Sequence, residues 1–224
     1  MAYISTDVFA QKLTDKGKKV WAPEIAAEAF PSHVENIIRK SEAATPADRK
    51  HGEMWYRDAH IQSFAVGQGN IERGAGIIAA LSPRAPWDDN IAAARRLSQT
   101  GESWEKHTLH AQDKGQVAVQ NAKALRILAG EHPLDVLGGM KERSFYHNIL
   151  DPENPEHITI DKHAHDIAMG IPQGVRRTIP ELGLGAKGRY QHFSDAYRAA
   201  ADASGFVIPN VLQATTWVAH REGR

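Results

Sequence analysis

Ile71-Glu-Arg-Gly-Ala-Gly-Ile-Ile-Ala-Ala-Leu81 is the stretch that decides the fold. From Gly74 onward, apolar or small side chains fall on nearly every side of a helical wheel, and a helix that is apolar all round is a buried one. Its alanines argue against a strand, which would favour Val, Ile and Thr. The segment therefore predicts a central helix with other helices packed around it. Working back along the chain, Gly67 and Gly69 end a preceding helix that starts with Thr45 as N-cap and Pro46 at the first helical position. That helix carries Met54, Trp55, Ala59, Ile61 and Phe64. Before it, Ser32 caps a helix to about Ser41, with Val34, Ile37 and Ile38 on one face.

Working forward, Ser82-Pro-Arg-Ala-Pro86 is a tight break, and Asp88 or Asp89 opens a helix through Leu97. A polar loop over about 99–115 leads to a helix over about 116–130. Pro133 begins a short helix that meets Gly138-Gly139, and another runs from about Lys141 to Leu150. Asp151-Pro-Glu-Asn-Pro155 cannot continue it. Ile158-Thr-Ile160 is briefly extended, Asp161 caps a helix to Gly170, and two more helices cover about 187–203 and 209–221. The expectation is all-α, nine or ten helices with no convincing sheet.

Composition narrows the chemistry. Hydrophobic residues make up 42% and charged residues 24% of the 224, enough for a real core. Formal net charge is zero, so any contact with nucleic acid must come from a local patch. Cysteine is absent, which removes disulfides, thiolate catalysis and Cys-ligated metals. No apolar run approaches the roughly 20 residues of a membrane span. The opening residues carry Lys12, Asp15, Lys16, Lys18 and Lys19 in place of a signal peptide. A soluble, intracellular, cytoplasmic protein, monomeric and without a membrane partner, is expected.

Several residues stand out for chemistry. Asp161, between an extended stretch and a helix, suits an N-cap worth about 1 kcal/mol, and equally a carboxylate that stabilises positive charge or activates water. Gly138 and Gly139 let backbone N–H groups approach a phosphate, and Lys141 and Arg143 add charge there; an ordinary helix–helix turn explains the glycines as well. Trp55, Tyr56 and Trp87, with Asn90, are candidates for a base pocket, against the plainer reading that aromatics at helical spacing are core. Asp161, His163, His165 and Asp166 invite a metal reading. On a helix His163 and Asp166 can share a face at i, i+3 but His165 cannot join them, so no metal site and no cofactor are assigned. His51 and His60 read as structural or surface residues.

Four segments, in order, resemble the helix-hairpin-helix DNA glycosylase superfamily, the endonuclease-III-like enzymes. Ile77–Asn90 looks like the family's buried helix and Leu-Ser turn, and Asn121-Ala-Lys-Ala-Leu-Arg-Ile-Leu128 like its Lys-Ala helix. Val136-Leu-Gly-Gly-Met-Lys-Glu-Arg-Ser-Phe145 looks like the hairpin, and Ile158-Thr-Ile-Asp-Lys-His-Ala-His165 like the segment carrying the catalytic Asp. The resemblance implies a two-lobed helical bundle over 1–224. Residues 70–170 would form the hairpin-containing core lobe, and 1–69 with 171–224 the second lobe. It also implies DNA as partner, Asp161 as catalyst, Arg84 as a wedge replacing a flipped base, and Gly138, Gly139, Lys141 and Arg143 on the phosphate backbone. Lys141 is carried as a second catalytic candidate. Counting from Gly139, however, Arg143 stands where strand-cleaving relatives have Lys, and Arg cannot form a Schiff base. The stretch from Trp55-Tyr56 through Trp87–Asn90, with the closing Leu212–Trp217, resembles phage-encoded relatives of this superfamily, some of which are proposed to act on hypermodified thymine.

The resulting expectation is a DNA base-acting enzyme that flips a nucleotide and acts at the base or its glycosidic bond. The chain would be a monofunctional glycosylase, or would substitute a modified pyrimidine in phage DNA. The alternatives are an inactive DNA-binding module of the same fold, a metal-dependent hydrolase built on the Asp161–Asp166 cluster, and a small interaction protein without a nucleic-acid partner.

Overall fold

The structure is a computed structural model that describes residues 11–13, 19–83, 85–102, 114–174, 184 and 188–224. Among these the fold is helical: α1 (Pro23–Glu42), α2 (Pro46–Val66), α3 (Ile71–Leu81), α4 (Trp87–Thr100), α5 (Lys114–Leu128), α6 (Pro133–Val136), α7 (Met140–Leu150), α8 (Lys162–Ala168), α9 (Arg189–Ser204) and α10 (Pro209–Arg221). Two details differ from the sequence reading. A short antiparallel ribbon, β1 (Gln11–Leu13) and β2 (Lys19–Trp21), pairs Lys12 with Val20 where no sheet was expected. The first helix begins at Pro23, well before Ser32, and runs through Pro31. Pro31 lacks an N–H but is exposed, while Ala26, His33 and Ile37 on the other face are buried. Burial of that face outweighs the lost hydrogen bond.

The chain divides into two units, residues 1–55 with 158–224 and residues 56–157. In the first unit, α1 packs on α9, α8 and α10. Ile37, Ile158, Ile160, Ile167, Phe193, Tyr197 and Leu212 meet in its core. Two tyrosines of α9 fix the approach to α8. The Tyr190 hydroxyl donates to the Ile158 carbonyl (2.9 Å) and accepts the Ile160 N–H (3.0 Å). Tyr197 donates to the Ala164 carbonyl (3.1 Å). At the far end, the Asn36 side-chain amide donates to the Ala168 carbonyl (3.0 Å). The segment around Asp161 is thus tied to α9, and the far end of α8 to α1.

The second unit is built on α3, as the sequence predicts: every residue from Gly74 to Leu81 is buried. Asn70 caps it, its side chain accepting the Arg73 N–H (2.9 Å). Neighbours come close because the helix offers glycines. A Cβ on Gly74 would lie 1.8 Å from the Ser63 carbonyl oxygen, and one on Gly76 2.7 Å from the Pro133 ring. α4, α5, α6 and α7 pack around α3.

Candidate functional site around Asp161

Asp161 is the N-cap of α8, with extended backbone. Its Oδ1 accepts the Ala164 N–H (2.7 Å), the cap read from the sequence. Its Oδ2 accepts the indole N–H of Trp217 (3.2 Å), a partner the sequence reading missed. Nothing in the spacing marks that pair, because α10 reaches α8 only through the fold.

Trp217 sits half-buried in an aromatic group of the first unit. Its ring lies 4.7 Å from that of Trp55 at 48°, and the Arg221 guanidinium stands 4.8 Å over it. The His51 ring lies 5.5 Å from Trp55 and the His163 ring 6.3 Å from Trp217. Gly52 makes this possible. A Cβ there would stand 2.4 Å from Thr215 Oγ1 and 2.5 Å from its Cα, so only glycine lets α2 approach α10 this closely. One ionisable oxygen pair, two indoles and a cation over one of them form a surface suited to a planar aromatic ligand.

Behind Trp217 on α10 lies His220, 1% exposed, with neither ring nitrogen hydrogen-bonded among the described residues. Burial and the nearby charges of Lys40 and His163 push its pKa down to about 4. Since the ordinary value is near 6.5, the unfolded chain takes up the proton first as pH falls. The stabilisation is complete above about pH 6.5 and is lost between there and about 4, on the order of 2 kcal/mol after allowing for solvent screening. His220→Leu is expected to flatten the pH–stability curve in that window without lowering stability at pH 7, as urea titrations would read.

The hairpin belongs to the second unit, and Asp161 to the first. Neither Gly138 nor Gly139 has a positive φ, so conformation alone does not demand glycine. The Gly138 N–H donates to Glu142 Oε2 (3.1 Å), and the same oxygen pairs with Lys123 Nζ (2.7 Å). Glu142, at the third position of α7, thus occupies the amide that the sequence reading offered to a phosphate; it is a carboxylate reaching back over its own helix start. Arg143 is turned the other way, its Nε donating to the Leu137 carbonyl (3.1 Å) and its terminal nitrogen to the Leu134 carbonyl (2.8 Å). It staples the end of α6. Lys141 is half-exposed at the second position of α7.

The other candidates divide. Trp55 joins the Asp161 group. Tyr56 does not: it is 4% exposed and packs on Phe145 (6.2 Å), so its face is core and no base can stack there. Asn90 is also core, 2% exposed, its amide donating to the Ile78 carbonyl (3.2 Å) and tying α4 to α3. Trp87 is half-buried at the start of α4. Arg84 lies outside the described residues. His60 is structural: its Nδ1 lies 2.9 Å from the Ile149 carbonyl oxygen, and its own carbonyl accepts from the Ser63 hydroxyl (2.7 Å).

The metal reading gains no geometry. His165 is 1% exposed, its Nε2 2.8 Å from a terminal nitrogen of the buried Arg189, so it accepts from the guanidinium. No group of three or more His, Asp or Glu among the described residues is arranged for a metal ion. No helix among them is long and apolar enough to cross a membrane.

A family signature described as "Family of unknown function (DUF7178)" matches residues 22–224. The chain belongs to that family. The match takes in the ten described helices of this DUF7178 chain, and with them Asp161, Trp55, Trp217 and the hairpin. Neither the curated proteins nor the solved structures contain a match to it.

Proposed function

We propose that this chain is a DNA base-acting enzyme in which Asp161 works on a nucleotide flipped out of the helix. The observation that carries the reading is the Asp161–Trp217–Trp55 arrangement: a half-exposed carboxylate beside a pair of indoles, on a segment that resembles the catalytic segment of helix-hairpin-helix glycosylases. A flipped base needs a face to stack on, worth roughly 1–3 kcal/mol per base. A sugar losing its base needs negative charge beside it. Asp161 supplies the charge, and Trp55, Trp217 and Arg221 the stacking surface. Arg143, being turned to hairpin carbonyls, serves neither as nucleophile nor as a free cation, which supports base chemistry without strand cleavage.

A second reading, a DNA-binding module without chemistry, is favoured by a different observation: both Asp161 oxygens already serve the fold. The two readings separate on base flipping. A duplex carrying 2-aminopurine at the target position should brighten when the protein binds, and Trp217→Ala should cut the rise severalfold. Binding without brightening selects the module. No binding at low salt rejects both.

The hairpin also yields an expectation. If DNA phosphate reaches the Gly138 N–H, Glu142 must first leave it. Glu142→Gln should cost about 1 kcal/mol of stability and raise DNA affinity severalfold by fluorescence anisotropy. An unchanged affinity would remove the hairpin from the interface.

A further inference from the structure

His220 poses a problem that the fold itself does not solve. A buried side chain normally finds hydrogen-bond partners, and an unmet polar atom costs about 1–3 kcal/mol. His220 is 1% exposed and has two such atoms, Nδ1 and Nε2. An apolar side chain would be the cheaper occupant, so the imidazole calls for a ligand.

Its surroundings say what kind. The half-exposed His163 ring is 5.6 Å away, roughly perpendicular at 62°. Lys40 of α1 and Lys162 of α8 also act on it electrostatically. Among the described residues Asp161 is the carboxylate that opposes them, and it already accepts two N–H groups. Lys40 is half-buried and donates to the Arg224 carbonyl oxygen, while Arg224 pairs with Asp48 through its Nε (2.8 Å). Two imidazoles and two ammonium groups against one engaged carboxylate are a setting for an anion, not for a metal cation.

We propose that His163 and His220, with Lys40 and Lys162, form a binding site for a phosphate-type anion beside Asp161. A phosphate oxygen accepts from one ring N–H of His220, and its negative charge favours the protonated ring. Binding and protonation are therefore linked, and affinity falls as pH rises from about 4, the pKa of the ring in the free chain, through its raised value in the complex. The identification of the anion with a backbone phosphate of the flipped nucleotide rests on the base-acting reading. The anion site does not.

The test is an imidazole-detected NMR titration of the whole chain at pH 6.5, first with inorganic phosphate, then with a short single-stranded oligonucleotide. The expected result is that the His220 ring nitrogens move from the neutral to the imidazolium pattern. Its pKa should rise from about 4 to above the titration pH of 6.5, and His220→Gln should weaken phosphate binding at least tenfold. His163→Asn, at a half-exposed position, gives the same reading where the buried variant folds poorly, with an expected loss of about fivefold. A response to inorganic phosphate alone supports a site for free phosphate compounds. A response to the oligonucleotide at lower concentration supports a backbone site. His220 signals unmoved by either, or full phosphate binding in His163→Asn, would overturn the proposal. A base-acting enzyme lacking this site would still flip 2-aminopurine, so the two failures are distinguishable.

Discussion

Asp161→Asn is expected to slow turnover at the base by at least about a hundredfold while leaving DNA affinity within a factor of two. The variant isolates charge from structure. Asn is as good an N-cap as Asp, so the Ala164 N–H keeps an acceptor. The other end of an amide, however, is a donor, and it would face the Trp217 indole N–H, also a donor. One of the two bonds must therefore be lost, costing about 1 kcal/mol. Asp161→Ala loses both and should cost about 2 kcal/mol. If Asp161 only caps its helix, activity should track stability across the two variants. If it is catalytic, both should be equally inactive despite their different melting temperatures.

Gly74→Ala is the substitution expected to harm the fold most. Its Cβ would fall 1.8 Å from the Ser63 carbonyl oxygen and 2.6 Å from the carbonyl carbon, and both are backbone atoms. No rotamer change relieves that contact; α2 and α3 must separate, and α3 carries the core of the second unit. A loss of about 3 kcal/mol is expected in urea titration. Gly139→Ala is the control. It has nothing within 4 Å of the added carbon and an ordinary negative φ, so its loss should stay within about 1 kcal/mol, the cost of Ala for Gly at the N-cap of α7.

How far these features could be read from sequence depends on whether the cause is local. The central helix was legible because Gly74–Leu81 is apolar on all sides, and a wheel shows that without a partner. The start of α2 was legible from Thr45-Pro46, and the structure adds its reciprocal bond: the Thr45 N–H donates to Asp48 (2.8 Å) while Asp48 donates its own N–H to Thr45 Oγ1 (3.2 Å). The start of α1 was not legible. Pro31 is a strong local stop, and only the packing of Ala26 and His33 overrides it. The cap role of Asp161 was visible, being three residues from its donor. Trp217 was not, being 56 residues away.

The hairpin shows the same division at closer range. Gly138-Gly139 reads as an open amide because glycine permits close approach. What fills that amide is Glu142, four residues on, and its choice depends on Lys123 from α5. Likewise Tyr56 and Trp55 are neighbours in sequence, yet α2 turns one into the core and the other toward Trp217. A list of aromatics cannot separate them. The helix face can, once its partners are known.

The most direct measurement is mass spectrometry of free bases and nucleosides after incubating the wild-type chain with DNA. Separate duplexes should carry plain bases, deaminated bases, oxidised bases and hypermodified thymine. A released or altered base from at least one of these, absent with Asp161→Asn, is the predicted result. Bound duplexes whose base composition is unchanged throughout would contradict the account and leave Asp161 as the cap of α8.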